Sequence, residues 1–339
     1  MTGKHFLLGF LCIAGLSAIV GALWSGDRTA DVVAEEHIAF SSSTTPKPQA
    51  QRHRRMRHVH YTRKAAISSK QVGTPGRIRA GLSGTILVLD MQSHRVKFFS
   101  PTGALIRVVP KDPWLEGIDF AVGNQCVAIA GPNSSAYCYS LSNEQVVSTL
   151  PAEALRIEAI GNSFICERPF GKHLFSVYSR DGVHIRDFGV LLANQAAHGL
   201  AVLGNLASDD QSKTLFVAGI YAGFLAAYQS SGRLKYIVST IDPLPAPHLE
   251  LTTDGIKRIP FDAPYSSLSL AAARNKVFIL TEIPPRARLK RSIIDVYNES
   301  TGAYLYSEEA PERSTGIAVG NGVIYTQSNS GIKLWTPIP

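Results

Sequence analysis

The chain has 339 residues, of which 45% are apolar and 18% charged, with 28 Gly, 19 Pro and 4 Cys. These values exclude a wholly disordered chain, a coiled coil and a disulfide-stapled miniprotein. Of the formal net charge of +8, residues 1–76 carry +6, with 10 Lys and Arg against 4 Asp and Glu, so the basic character belongs to an N-terminal arm and the remainder is close to neutral.

The first predicted element is the apolar run FLLGFLCIAGLSAIVGALW, Phe6 to Trp24, which contains no charge. As a helix rising 1.5 Å per residue it would span roughly 28 Å, the thickness of a bilayer core. A cleaved secretory signal has a shorter apolar core and a small-x-small site, whereas this run is long and ends GALWSGD. Residues 1–26 therefore read as an uncleaved signal anchor, a single transmembrane helix. Leu11 before Cys12 argues against lipoprotein processing. Residues 27–60 contain SSSTTPKPQ and little patterned hydrophobicity, the composition of a disordered basic linker. Its end runs into QRHRRMRHVHYTRK at 51–64, where Arg52, Arg54, Arg55, Arg57, Arg63 and Lys64 accompany three histidines. Such a tract could dock on anionic lipid, wall polymer or nucleic acid, or could simply be a solvated linker end.

From residue 61 onward the chain repeats. Residues 78–109 align without a gap on residues 118–149 at an offset of 40: four short apolar runs separated by turns. The order recurs at 156–188, 199–238, 267–307 and 316–335. The third run of the six units ends on Phe99, Tyr139, Tyr178, Tyr228, Tyr297 and Trp335. In the first five a turn follows that contains Gly103, Asn143, Gly182, Gly232 or Gly302. Runs of 4–7 residues rich in Val, Ile, Leu, Phe and Tyr are strands. Six such meanders in a row, the last with three runs, predict an all-β fold, a six-bladed β-propeller of four-stranded antiparallel blades over 61–339, with the aromatics packed between blades.

Within the first unit, GTILVLDMQSHRVKFFSPTGALI (84–106) resembles the NHL repeat through Asp90, Arg95, the Phe98–Phe99 pair and the turn ending at Gly103. The second unit has Ala130 and Ser135 in place of Asp90 and Arg95. The resemblance implies a six-bladed propeller, an architecture that serves binding scaffolds, hydrolases and lactonases alike. The sixth unit stops after its third run, so the ring needs a fourth strand from the segment at 61–72, which removes an open edge. Two stretches break the repeat. Residues 239–266, with five Pro, predict an elongated rim loop, and EIPPRARLKRS at 282–292 lengthens a loop of the fifth unit.

The chemistry-bearing residues are few. No HExxH, CxxC, GxGxxG, Walker A or GxSxG motif occurs. Glu116, Asp119 and Glu158 stand at or just before innermost strands and could gather around a divalent cation in the channel, the alternative being a water-filled polar channel. Cys126 and Cys138 occupy corresponding places on the second and third strands of the second unit. If those strands pair about Pro132, the two cysteines face each other and could form a disulfide, or pack as small core residues. Cys166 reads as a core thiol. Arg286, Arg288, Lys290 and Arg291 place four cations in the lengthened loop, a candidate clasp for an acidic partner. No organic cofactor is expected.

The function expected from these features is a membrane-tethered, extracytoplasmic propeller acting as a non-catalytic binding or assembly module for a protein or glycan at its rim, with nucleic acid not expected. The alternative is a divalent-cation-dependent hydrolase or lactonase with its site in the channel.

Overall fold

The computed structural model describes residues 32–51, 53–81, 84–110, 117–131, 135–143, 145–151, 154–168, 171–193, 198–253, 257–281 and 292–338. Within each repeat the short runs pair with their sequence neighbours, because a short turn between apolar strands closes a hairpin with little loop entropy. The first sheet is Pro75–Ala80, Ile86–Asp90, Arg95–Phe99 and Leu105–Val109. The second is Asp119–Val122, Cys126–Ala130, Ala136–Ser140 and Val146–Leu150, and the third is Arg156–Ile160, Ser163–Glu167, Phe175–Ser179 and His184–Phe188. Gly204–Asp209, Thr214–Gly219, Phe224–Gln229 and Leu234–Ser239 make the fourth. The fifth holds Ser269–Ala273, Lys276–Thr281, Ile293–Asn298 and Tyr304–Glu309.

The sixth sheet is Gly316–Gly320, Val323–Ser328 and Gly331–Ile338, completed by His60–Ser68 from near the start of the chain. That strand pairs along the whole of Gly331–Ile338, from Gly331 opposite Ser68 to Ile338 opposite His60. This is the closure expected from the truncated sixth repeat. The first strand of each sheet touches the first strand of the next, and Gly316–Gly320 returns to Pro75–Ala80. The fold is a β-propeller.

The core lies between sheets, because each sheet is apolar on both faces and finds its partner in the next one. Ile67, Ile332 and Leu334 of the sixth sheet pack with Ile86, Val88 and Phe99 of the first, and Leu87 and Val96 of the first with Phe120 and Tyr139 of the second. The remaining junctions repeat this arrangement, including a cluster of small residues around Cys126, Cys138 and Cys166 between the second and third sheets. Five of the six repeated aromatics are buried in these junctions; Trp335 is half-buried and donates its indole N–H to Thr326 at 2.8 Å.

Two regular details hold neighbouring sheets together. Every outer strand carries a β-bulge at one register, opposite the end of the third strand, with Ile106, Val147, Ile185, Lys235, Leu305 and Lys64 as the extra residues. Just after the bulge, Arg107, Ser148, Arg186 and Tyr236 each donate a hydrogen bond to a backbone carbonyl in the next sheet's outer turn, at Leu141, Arg180, Ser230 and Glu299 respectively. The turn glycines complete the contact: a Cβ on Gly182 would stand 2.5 Å from the Thr149 carbonyl, and one on Gly232 2.9 Å from the Phe188 side chain. Their φ values of 82° and 88° also lie in the left-handed region.

The expectation of a disordered linker over 27–60 is corrected for its described part. Val32–Glu36 pairs with Leu249–Thr252, which pairs in turn with Lys257–Arg258, so the proline-rich insertion builds a small three-stranded sheet with the N-terminal arm. The arm then runs as a strap past the segment that follows the third sheet and along the fourth and fifth sheets. Ser41 N–H donates to Leu191 O at 3.0 Å, and Lys47 pairs with Val238. Gln49 bonds Ser239 O, Gly302 O and Tyr304 N–H at 2.9, 3.1 and 2.9 Å. Met56–Arg57 adds to Tyr304–Glu309 as a parallel fifth strand. The composition argument fails here because the strap is held through backbone edges and polar side chains, and so needs no apolar pattern of its own. No helix among the described residues is long and apolar enough to cross a membrane; the apolar segment 6–24 lies outside them.

Candidate functional site

The ring's centre is where sequence reasoning placed a cation site, and it holds a dense polar network. Asp119 opens the innermost strand of the second sheet and Glu158 lies in the middle of that of the third, so the fold brings both to the channel. Glu116 lies outside the described residues. What the two carboxylates meet is Arg77, from the innermost strand of the first sheet. Its guanidinium bonds Asp119, Glu158 at 3.0 Å, the Ile157 carbonyl at 3.0 Å and the Leu206 carbonyl, and so joins four consecutive sheets. Arg79 forms a second ion pair with Glu158.

The carboxylates are further committed to the scaffold. Asp119 accepts the Ile157 N–H at 2.9 Å, and Glu158 accepts Ser208 Oγ and the Ala159 N–H, each at 3.1 Å. Burial opposes the charge on Arg77, but Asp119 and Glu158 more than offset it and hold its pKa above the ordinary value. Burial, together with repulsion from Arg77, lowers that of Arg79. On the second strand of the third sheet, opposite Arg156, Glu167 accepts the Gly204 N–H at 3.0 Å, and burial pushes its pKa up to about 8 despite that arginine. Among the described residues no group of three or more His, Cys, Asp or Glu could hold a metal ion.

The other sheet junctions are closed by neutral polar groups: Asn205 Nδ2 to Ser267 Oγ at 3.1 Å, the Ile317 N–H to Ser269 Oγ at 3.1 Å, and Gln327 Nε2 to the Pro75 carbonyl at 2.8 Å. The hub thus carries at least one polar stitch across every junction. The sequence signal for its cationic half was present in GRIRA, where Arg77 and Arg79 alternate around Ile78 on a first strand whose counterpart in the sixth sheet, GIAVG, carries no charge. Alternate positions on a strand share a face, so the two arginines had to share one with each other.

Arg286, Arg288, Lys290 and Arg291 lie outside the described residues. Of the basic tract, Arg54 is committed to the fold: its Nε and Nη2 bind the two oxygens of the buried Asp295 at 3.0 and 2.9 Å, and it also pairs with Asp242. Cys126 and Cys138 are both buried and share a face, but the register differs from the one centred on Pro132. Cys126 stands opposite Ser140 and Cys138 opposite Ala128, so the pair is diagonal; the sulfurs are 3.4 Å apart and the thiols are free. Burial raises the pKa of Cys166 to about 12, in keeping with a packed core thiol. Asp90 is also structural: it accepts the N–H groups of Thr74 and Gln92 and the hydroxyl of Ser93, and pairs with Lys97 at 2.8 Å.

No family model and no curated protein matches the chain. Among solved structures it is similar to the computationally designed protein Ika8, with a TM-score of 0.47 and 11% identity over 91% of this chain and 98% of that one. It is also similar to BamB from Moraxella catarrhalis, with a TM-score of 0.45 and 13% identity over 78% and 83% of the two chains.

Proposed function

We propose that this chain is a six-bladed propeller, tethered to a membrane by the apolar segment Phe6–Trp24 and held outside the cytoplasm, that acts as a non-catalytic binding or assembly module for a protein partner. The observation that carries this reading is the commitment of the hub. Asp119 and Glu158, the described acids a channel-based hydrolase would draw on, are engaged by Arg77, Arg79 and the backbone, and they fasten sheets to one another. A ring stiffened in this way supports recognition on its outer surface, where no reacting group is needed.

The test is thermal unfolding of the full chain in the presence of Ca²⁺, Mg²⁺ or Zn²⁺. A ligand bound to the folded state raises the melting temperature by mass action. An unchanged melting temperature across the three titrations is the expected result; a rise that saturates with one cation would overturn the reading in favour of the cation-dependent hydrolase. A C-terminal reporter enzyme that matures only outside the cytoplasm is expected to be active in the same cells, and an inactive reporter would remove the proposed location.

A further inference from the structure

The outer edges of the sheets are treated unequally. The strap lies on the fourth and fifth, and His60–Ser68 is itself the outer strand of the sixth. On the first three sheets, Leu105–Val109, Val146–Leu150 and His184–Phe188 end their sheets with no further strand against them among the described residues. Exposed edges are ordinarily blunted with charge, and the chain does the reverse. The bulge residues of the fourth and sixth sheets are Lys235 and Lys64, and that of the strap-covered fifth is the half-buried Leu305, while those of the first three are the exposed Ile106, Val147 and Ile185. With Leu105, Val146 and Val183 beside them, these residues are 44–64% exposed. Leu105, Ile106, Val146, Val147 and Ile185 stand at one register of three consecutive sheets, with His184 in the place of Leu105 and Val146 on the third and Val183 one residue before it; the six aliphatic side chains form a belt, and a monomer gains nothing from leaving them in water.

The chain also displays how such an edge is filled. The strap meets the fourth sheet at Val238 and the fifth at Ser307–Glu308, and Val238 and Glu308 hold equivalent places three residues beyond the bulge. Beyond the bulge the strand is regular again, and there an extended segment adds in parallel. Before it reaches the fourth sheet the strap passes the segment that follows the third, where Phe40 bridges Leu192. Resting on the binding-module reading, we propose that the outer strands of the first three sheets receive an extended segment of a partner protein with aliphatic residues at alternate positions, added edge-on beside Val108, Thr149 or Asp187. A glycan would leave its hydroxyls unpaired against six aliphatic side chains, whereas a strand offers both backbone partners and apolar contacts.

The experiment is site-specific photo-crosslinking in cells carrying the full chain, with the photoreactive residue placed in turn at Ile106, Val147 and Ile185, at Lys235 as a control on the covered fourth sheet, and at Arg286 and Arg291 in the basic loop. The expected result is an adduct from the three belt positions to another protein, mapped by mass spectrometry to an alternating aliphatic segment, with none from Lys235. A synthetic peptide of that mapped segment should slow hydrogen exchange at the amides of Val108, Thr149 or Asp187. The variant Ile106→Lys, Val147→Lys, Ile185→Lys should lose adducts from photoprobes at Leu105, Val146 and Val183 about tenfold or more, as removal of apolar anchors does, with its melting temperature unchanged; the corresponding Ser variant repeats this without added charge. Adducts from the belt to a second copy of the chain, to lipid or to Phe6–Trp24 of the same chain would overturn the proposal. Belt silence with protein adducts from Arg286 or Arg291 would overturn the belt and leave the binding module standing, and silence at every position would remove both.

Discussion

Glu167 lies fully buried, with one carboxylate oxygen on the Gly204 amide at 3.0 Å and the other without a protein partner. Burial raises its pKa to about 8, above the unfolded value, so the folded chain holds this proton more tightly than the unfolded one. Its contribution to stability is therefore complete below about pH 4.5 and is lost as the pH rises through about 8, at up to about 1.4 kcal/mol per pH unit. Urea midpoints measured across this window should fall with rising pH in the natural chain, and Glu167→Gln should remove that part of the slope. Residue identity at the hub was half legible. Asp119 and Glu158 stand out as acids on innermost strands, but the guanidinium that satisfies them comes from a strand some 40 to 80 residues earlier. No local spacing records that distance; only closure of the ring creates it.

Among the elements, the outer turn of each of the first five sheets does two jobs: it closes a hairpin and it lies on the outer strand of the sheet before it. The glycine at its centre was visible in the repeat, and its turn role follows from sequence. Its second role, the close approach to Thr149 at Gly182 or to Phe188 at Gly232, follows only from the packing. The two contributions can be separated by comparison with Gly161, whose φ of 60° is also left-handed but where an added Cβ meets only the end of Lys213 at 3.5 Å. Gly161→Ala should cost about 1 kcal/mol, the backbone term alone, and Gly182→Ala about 1–3 kcal/mol more, because the turn must lift off its neighbour. Guanidinium unfolding of both variants measures the difference. The partner residues of this contact were illegible, since Arg107, Ser148, Arg186 and Tyr236 do one job with three chemistries.

At the level of the whole molecule, the ring is shut by the pairing of His60–Ser68 with Gly331–Ile338, near the two ends of the chain. A chain starting at residue 59 keeps this pairing and loses the strap, including the two-pronged hold of Arg54 on Asp295. It should remain monomeric with a lower melting temperature. A chain starting at residue 73 lacks Ile67 and bares the strand that carries Ile332 and Leu334, a long apolar edge of the kind that pairs between molecules. Size-exclusion chromatography with light scattering should find it aggregated; a monomeric product would show that closure is not what holds the ring.

Local patterning determined the strands, their order, the turn glycines, the aromatics at the junctions and the need for a closing strand, because a meander records its own hairpins within a few residues. The tertiary structure decided what meets across the ring: Arg77 with Asp119 and Glu158, the diagonal register of Cys126 and Cys138, and the strap on the fourth and fifth sheets. These contacts join residues far apart in the chain through backbone edges and single charges. Neither leaves a period in the sequence, and both exist only once the sheets have been turned to face a common axis.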